Sequence, residues 1–317
     1  MILFKNLKRT ILKTDQRVNL IATLFSGQSF RWNLRLILSQ YYSNIIGDTL
    51  ILLREIDSDT IEVLSEFNTV SGLSIDEFLF RYFTLDIDEN KVFLPSFQSD
   101  FEVVWSLVNP YQSVRIMRQD PFEIMVTFMC AQGIGMHLIR RQVSMIMERY
   151  GQPRVLVTDE GEITLHEFPA PSALATAKLD ELAVCTNNNR IRAANIIAMA
   201  RSFDSGKLDL SSITSANFPL ETVRETLCAH RGIGLKIADC IALFGLGRFD
   251  AFPIDTHVKQ YLWEWFGIET ARKSLTEKNY RFLQDEARKI LGNEYAGYAG
   301  HMLFHCWRTE VKKMKAF

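Results

Sequence analysis

One stretch constrains this chain more than any other: Leu227-Cys228-Ala229-His230-Arg231-Gly232-Ile233-Gly234-Leu235-Lys236-Ile237-Ala238-Asp239-Cys240. A helix must end near His230, because Gly232 and Gly234 permit positive φ and let another backbone approach closely. A second helix starts at about Leu235. Its first amides lack partners within the helix and carry the positive end of the helix dipole. Two helices joined in this way leave an anion site of the right shape for one phosphate of a nucleic-acid backbone, with Gly232 and Gly234 at its edge. Such a site reads backbone and not sequence. A bare GxG is only a glycine-rich turn between helices. Here the spacing LxxxxGIGxxxA extends the match over the whole hairpin, about residues 227–245.

Lys236 falls in the first turn of the second helix. A cation there works against the dipole, which favours a neutral, nucleophilic amine. In another setting it would be an ordinary surface lysine. Cys240 lies four residues later on the same face, as a core thiol or as a wall of a pocket. Asp255, nineteen residues after Lys236, lies in the stretch Phe252-Pro253-Ile254-Asp255-Thr256-His257. Asp255 suits the N-cap of the next helix. A capped carboxylate stays ionised and could stabilise developing positive charge or relay protons, so cap and catalytic group are compatible readings.

The remaining sequence sets the frame. At 317 residues the chain is long enough for two domains. No apolar run reaches the roughly 18 residues of a membrane span. Lys5, Lys8, Arg9, Lys13 and Arg17 interrupt any signal-peptide core, so the protein is expected not to be secreted: cytoplasmic or nucleoid-associated in a bacterium, nuclear in a eukaryote. The five cysteines are scattered, with no CxxC pair, so neither a structural zinc site nor an iron–sulfur cluster is indicated, and free thiols in a reducing compartment are the plain reading. The formal net charge of −1 gives no overall nucleic-acid footprint. Any such contact would use backbone amides and local basic groups: Arg140-Arg141, Arg190 with Arg192, or Lys312-Lys313 with Lys315. Each is otherwise a solvated helix face.

Elements follow in order. Arg31 to Ser39 alternates in part; Tyr41–Ile46 and Thr49–Glu55 flank a two-residue turn at Gly47-Asp48; Thr60–Phe67 adds a strand. Ser74-Ile75-Asp76-Glu77 reads as a capping box for a helix to about Phe83. Asp120-Pro121 caps a helix from Phe122 to about Cys130. Helices are predicted at Leu138–Tyr150, Pro171–Val184, Arg190–Phe203, Pro219–His230, Leu235–Gly245, Thr256–Phe266, Glu277–Leu291 and Tyr295 to about Lys312. Strands first and helices after indicate α+β: an N-terminal antiparallel sheet domain, 1–96, then an all-helical domain, 97–317.

Further motifs carry a resemblance. Ser26-Gly27-Gln28-Ser29-Phe30-Arg31-Trp32, Arg118-Gln119-Asp120-Pro121, the hairpin with Lys236, the loop ending in Asp255, and Tyr295-Ala296-Gly297-Tyr298-Ala299 with Leu303-Phe304 together resemble the 8-oxoguanine DNA glycosylase/AP lyases of the helix-hairpin-helix superfamily, from about residue 15 to 310. The resemblance implies excision of an oxidised purine from damaged double-stranded DNA, strand cleavage by β-elimination, and no catalytic metal or other cofactor. The enzyme would act as a monomer away from membranes. A monovalent or divalent cation on the backbone carbonyls of residues 231–234 is a further expectation. It also implies that the Gly27 carbonyl accepts from the N7–H of the oxidised base, that Cys240 and Phe304 sandwich that base, and that Lys236 attacks C1′ with help from Asp255. His257 would touch a phosphate, and Arg190 would lie on the opposite-strand side.

Two departures stand out. Where that family carries a run of asparagines after the counterpart of Cys130, this chain has Gln132-Gly133-Ile134-Gly135-Met136-His137. Where it tends to carry a base-reading glutamine, this chain has Gly300, with His301 next to it as a substitute reader. Asn187-Asn188-Asn189 reads as a polar loop before a helix. These departures leave open a glycosylase for another damaged purine, such as an alkylated one. A DNA-binding protein without chemistry is the third reading, disfavoured by the joint presence of Lys236, Asp255 and the residue 26–32 motif.

Overall fold

The computed structural model describes residues 1–33, 36–210, 213 and 218–314. Nine strands are described: β1 (Ile2–Leu3), β2 (Lys8–Lys13), β3 (Tyr42–Ile46), β4 (Thr49–Asp57), β5 (Thr60–Ser65), β6 (Thr69–Val70), β7 (Leu73–Ser74), β8 (Pro153–Thr158) and β9 (Gly161–His166). The main antiparallel sheet has the order β2-β5-β4-β3. Its β3–β4 turn is the expected two-residue one, with Ile46 opposite Thr49 and Gly47 at φ 60°.

The run Leu50-Ile51-Leu52-Leu53 in β4 is wholly buried, and the sheet explains why. Successive side chains point to opposite faces, and here both faces are covered. Ile51 and Leu53 pack with Trp32, α1 (Leu20–Phe25) and α2 (Ile75–Tyr82). Leu50 and Leu52 pack with Ile2, Leu156 and Leu165. That second layer is a small sheet in which β1 runs parallel to β8, with Ile2 opposite Leu156, and β8 pairs with β9. Helical periodicity gives no sign of this hairpin, which sits between two helices.

The helices are α3 (Phe97–Asp100), α4 (Glu102–Val108), α5 (Pro121–Cys130), α6 (Met136–Tyr150), α7 (Pro171–Ala175), α8 (Leu179–Cys185), α9 (Arg190–Asp204), α10 (Leu220–Cys228), α11 (Leu235–Gly245), α12 (Thr256–Glu264), α13 (Glu277–Leu291) and α14 (Ala296–Cys306). The α+β class is the one expected, but residues 97–317 are not all-helical: the β8–β9 hairpin interrupts the helices and covers one face of the N-terminal sheet. The apolar α11 is buried along nearly its whole length and packs on α5 and α10. No described helix is long and apolar enough to cross a membrane.

Four local expectations are corrected. Among its described residues, the strand from Arg31 to Ser39 does not form. Leu38 and Ser39 take positive φ in a turn closed by Ile37 and Tyr41, and Arg31 and Trp32 point inward to Ile45 O and Tyr82 Oη; residues 34 and 35, like Lys315, lie outside the described residues. Ser74 stands at the N-cap of α2, yet its hydroxyl accepts no helix amide and bonds the Asp76 carboxylate instead. The helix expected over Pro171–Val184 breaks at Thr176, whose Oγ1 donates to Ser172 O and competes with the helix ladder. The last helix changes pitch: Ala296–Cys306 is α-helical and Trp307–Val311 forms a π turn.

Candidate active site

Lys236, at the second position of α11, is half-buried, and its ammonium sits 5.2 Å from the centre of the Phe128 ring. One turn on, the buried Cys240 thiol is pushed up to about 12 by burial, against the pull of Lys236 beside it. Cys240 is therefore a neutral wall. Asp255 caps α12: its Oδ1 accepts from Val258 N at 2.9 Å. His257, two residues on, is half-buried and held below the usual imidazole value by burial, with Asp255 opposing.

The segment at residues 26–32 is now legible as a device for holding Gly27. The fully buried Gln28 side chain donates to Thr23 O (2.9 Å) and Arg115 O (2.8 Å) and accepts from Met117 N (2.7 Å). Gln119 Nε2 takes the Gln28 carbonyl at 2.9 Å. Gly27 itself has φ +97°, and a Cβ there would come within 1.7 Å of Met136 Cε and 3.7 Å of Phe304 Cε1. A side chain at residue 27 would thus be strained by its positive φ and would require the end of the Met136 side chain to move aside.

His301 lies under this loop. Its Nε2 is 2.8 Å from Ser26 Oγ, and its ring stacks with Phe304 at 5.9 Å and meets Phe244 edge-on at 5.1 Å. That bond ties its Nε2 to the loop at Ser26. At Gly300 a Cβ would fall 2.3 Å from Phe252 Cε2, so the Phe252 ring fills the space that a side chain at residue 300 would need. His257 meets Phe304 from another side at 5.9 Å, and Arg308, carried by the π turn, lies 5.5 Å from the same ring.

Burial pushes His301 down to about 3 and His305 to about 4. Both stay neutral in the folded protein, while an unfolded chain would protonate them from about pH 6.5 downward. Their contribution is fully present above pH 6.5 and is lost as the pH falls toward 3–4, at about 1.4 kcal/mol per pH unit for each ring. Urea midpoints should fall between pH 7 and 5, and less steeply in His305→Gln. Equal slopes for both proteins would refute this account.

These groups converge. Gly27, Lys236, Cys240, Asp255, His257, His301, Phe304 and Gly234 line one cavity of about 1020 Å³, together with Phe128, Met136 and Phe252, which the sequence reading did not single out. Gly232 lies just behind it, at φ +87° against Asn195, and its carbonyl accepts from Gln132 Nε2 at 2.5 Å. Gly234 is the N-cap of α11 with extended backbone and open space around its α-carbon; it keeps the approach to the helix amides clear rather than supplying a positive φ. Arg190 is exposed at the start of α9, paired with Asp180 away from the cavity. Asn187 and Asn188 form a left-handed turn and Asn189 caps α9. Among the described residues no cluster of His, Cys, Asp or Glu could hold a metal, and all five cysteines are free.

An antiparallel sheet layer ahead of a helical body, with a glycine hairpin, a lysine and a capped aspartate opening on one cavity, is the arrangement that the resemblance to the helix-hairpin-helix glycosylases leads one to expect. Within that class, the N-terminal domain of the 8-oxoguanine DNA glycosylases matches residues 10–125. The N-glycosylase/DNA lyase of Saccharomyces cerevisiae is 27% identical over 87% of this chain and 79% of its own; that of Arabidopsis thaliana is 26% identical over 92% and 78%. The Clostridium acetobutylicum 8-oxoguanine glycosylase/lyase, solved with duplex DNA containing cytosine opposite the lesion, superposes with a TM-score of 0.76 over 98% of this chain and 100% of its own, at 22% identity. The chain is thus similar to the 8-oxoguanine DNA glycosylase/lyases, in its first third by the family's N-terminal domain and along most of its length by these relatives.

Proposed function

We propose that this protein is a bifunctional DNA glycosylase that excises 8-oxoguanine from duplex DNA and then cleaves the strand. The convergence of the Gly27 loop, Lys236, Asp255 and Phe304 on one cavity carries this reading. Chemistry on a base requires its extrusion from the stack. The extruded base stacks on Phe304 with Cys240 behind it, and the Gly27 carbonyl accepts the N7–H that guanine lacks. Lys236 Nζ attacks C1′ as the bond to N9 breaks, and the electron pair leaves with the base, which takes up a proton. The Asp255 carboxylate stabilises the positive sugar and relays the proton that the amine gives up. The C1′–O4′ bond of the resulting aminal then breaks, with O4′ taking up a proton, to give the ring-opened Schiff base; this acidifies C2′, loss of that proton expels the 3′ phosphate, and water then frees Lys236.

DNA docks through the amides of residues 234–236 and His257 on backbone phosphates, with Arg190 toward the opposite strand, and the enzyme works as a monomer. A cation at the hairpin is part of the same proposal. Of the carbonyls that would hold it, that of Gly232 already accepts from Gln132 but keeps a second lone pair. Potassium or magnesium density there would support it.

The test is a single-turnover excision panel: duplexes carrying 8-oxoguanine opposite cytosine, 7-methylguanine, 3-methyladenine or undamaged guanine. 8-Oxoguanine should be released fastest, and faster release of an alkylated purine would overturn the substrate.

A further inference from the structure

The two reacting groups of the proposed mechanism sit on different elements, and something must fix their separation. Lys236 and Asp239 share α11. The Asp239 carboxylate is wholly buried, where an unmatched charge is costly. It is matched by three donors: Arg224 Nε at 2.8 Å on Oδ1, with Tyr280 Oη at 2.6 Å and Gln284 Nε2 at 2.7 Å on Oδ2. Two of these donors also grip the loop before Asp255. Gln284 Nε2 donates to Phe252 O at 2.7 Å, and Tyr280 Oη accepts from Ile254 N at 3.3 Å. Pro253, between them, has no N–H. The loop is therefore pinned by one carbonyl and one amide to a carboxylate on the helix that carries Lys236. Val258 N holds Asp255 from its other side.

We propose that Asp239, Tyr280 and Gln284 are positioning residues that act through Asp255, setting where its carboxylate stands relative to Lys236. The inference rests on the catalytic reading of Asp255 given above. Bonds shielded from water resist displacement more than solvated ones, and a shift of about 1 Å in a reacting group costs up to about 10²-fold in rate. The tether thus acts on rate and leaves DNA affinity alone.

The experiment uses the full-length protein and a duplex with a preformed abasic site, so that lesion choice plays no part. The readout is the rate of borohydride-trapped adduct. Tyr280→Phe keeps the ring and removes the hydroxyl that joins Asp239 to Ile254 N. It should slow trapping about tenfold with DNA affinity unchanged. Added to Asp255→Asn, it should slow trapping no further. Gln284→Met, which cuts the other tether, should follow the same pattern, and covers the case in which Tyr280→Phe weakens the fold. Equal losses in both backgrounds would show that these residues act other than through Asp255, and a wild-type rate in both single variants would show that they set nothing; either overturns the inference. Wild-type trapping by Asp255→Asn would instead remove Asp255 from the mechanism, and the tether's role with it.

Discussion

Lys236→Gln should abolish the covalent adduct that borohydride captures on duplex DNA carrying 8-oxoguanine opposite cytosine, a loss of about 10³-fold or more in a step that depends on one nucleophile. The geometry leaves little to replace it. The Cys240 thiol is neutral, pushed up to about 12, and the nearby basic groups differ in kind: Arg308 carries a guanidinium, and His257 an imidazole that is held below its usual value. Glutamine is one atom shorter than lysine but stays unbranched through Cγ and keeps a polar end, so the hairpin retains its packing and DNA affinity should change only a few-fold. An adduct that persists in the variant would move the nucleophile elsewhere. An adduct formed by the wild type on abasic DNA alone would keep the lysine and discard the lesion.

The second large effect concerns the fold. Arg224→Ala should cost about 3–5 kcal/mol, because it leaves the wholly buried Asp239 carboxylate without its cation. Arg281→Ala provides the contrast. Arg281 pairs with Glu221 and Glu277 at the surface, where such pairs contribute about 0–1 kcal/mol. Urea denaturation of the two variants side by side makes the comparison. Similar small losses would mean that Asp239 is rehydrated or protonated when Arg224 goes.

What could be read from sequence was what is local. The caps at Asp120 and Asp255 were legible because an N-cap bonds an amide three residues ahead. The hairpin was legible because glycines and helix starts repeat at short spacing. The residue 26–32 motif could be recognised as a string, but not as a mechanism: Gln28 works by bonding Arg115 and Met117, and Ser26 by meeting His301, 275 positions away. The departure at residue 300 looked like a missing contact. It is a space already filled by Phe252, and nothing in the spacing of the two residues tells of it. The tether on Asp239 was invisible for the same reason, since Tyr280 and Gln284 read as one face of an amphipathic helix and nothing more.

The parallel pairing of β1 with β8 has a consequence for the order of events during synthesis. Ile2 and Leu3 are synthesised 154 residues ahead of their partners, Leu156 and Val157. At roughly 5–20 residues per second, the opening strand waits on the order of ten seconds or more for a neighbour. Over that interval Leu50, Leu52 and Leu64 lack their cover on one side, and the half-built sheet is the stage at which the nascent chain is most exposed to association with others like itself.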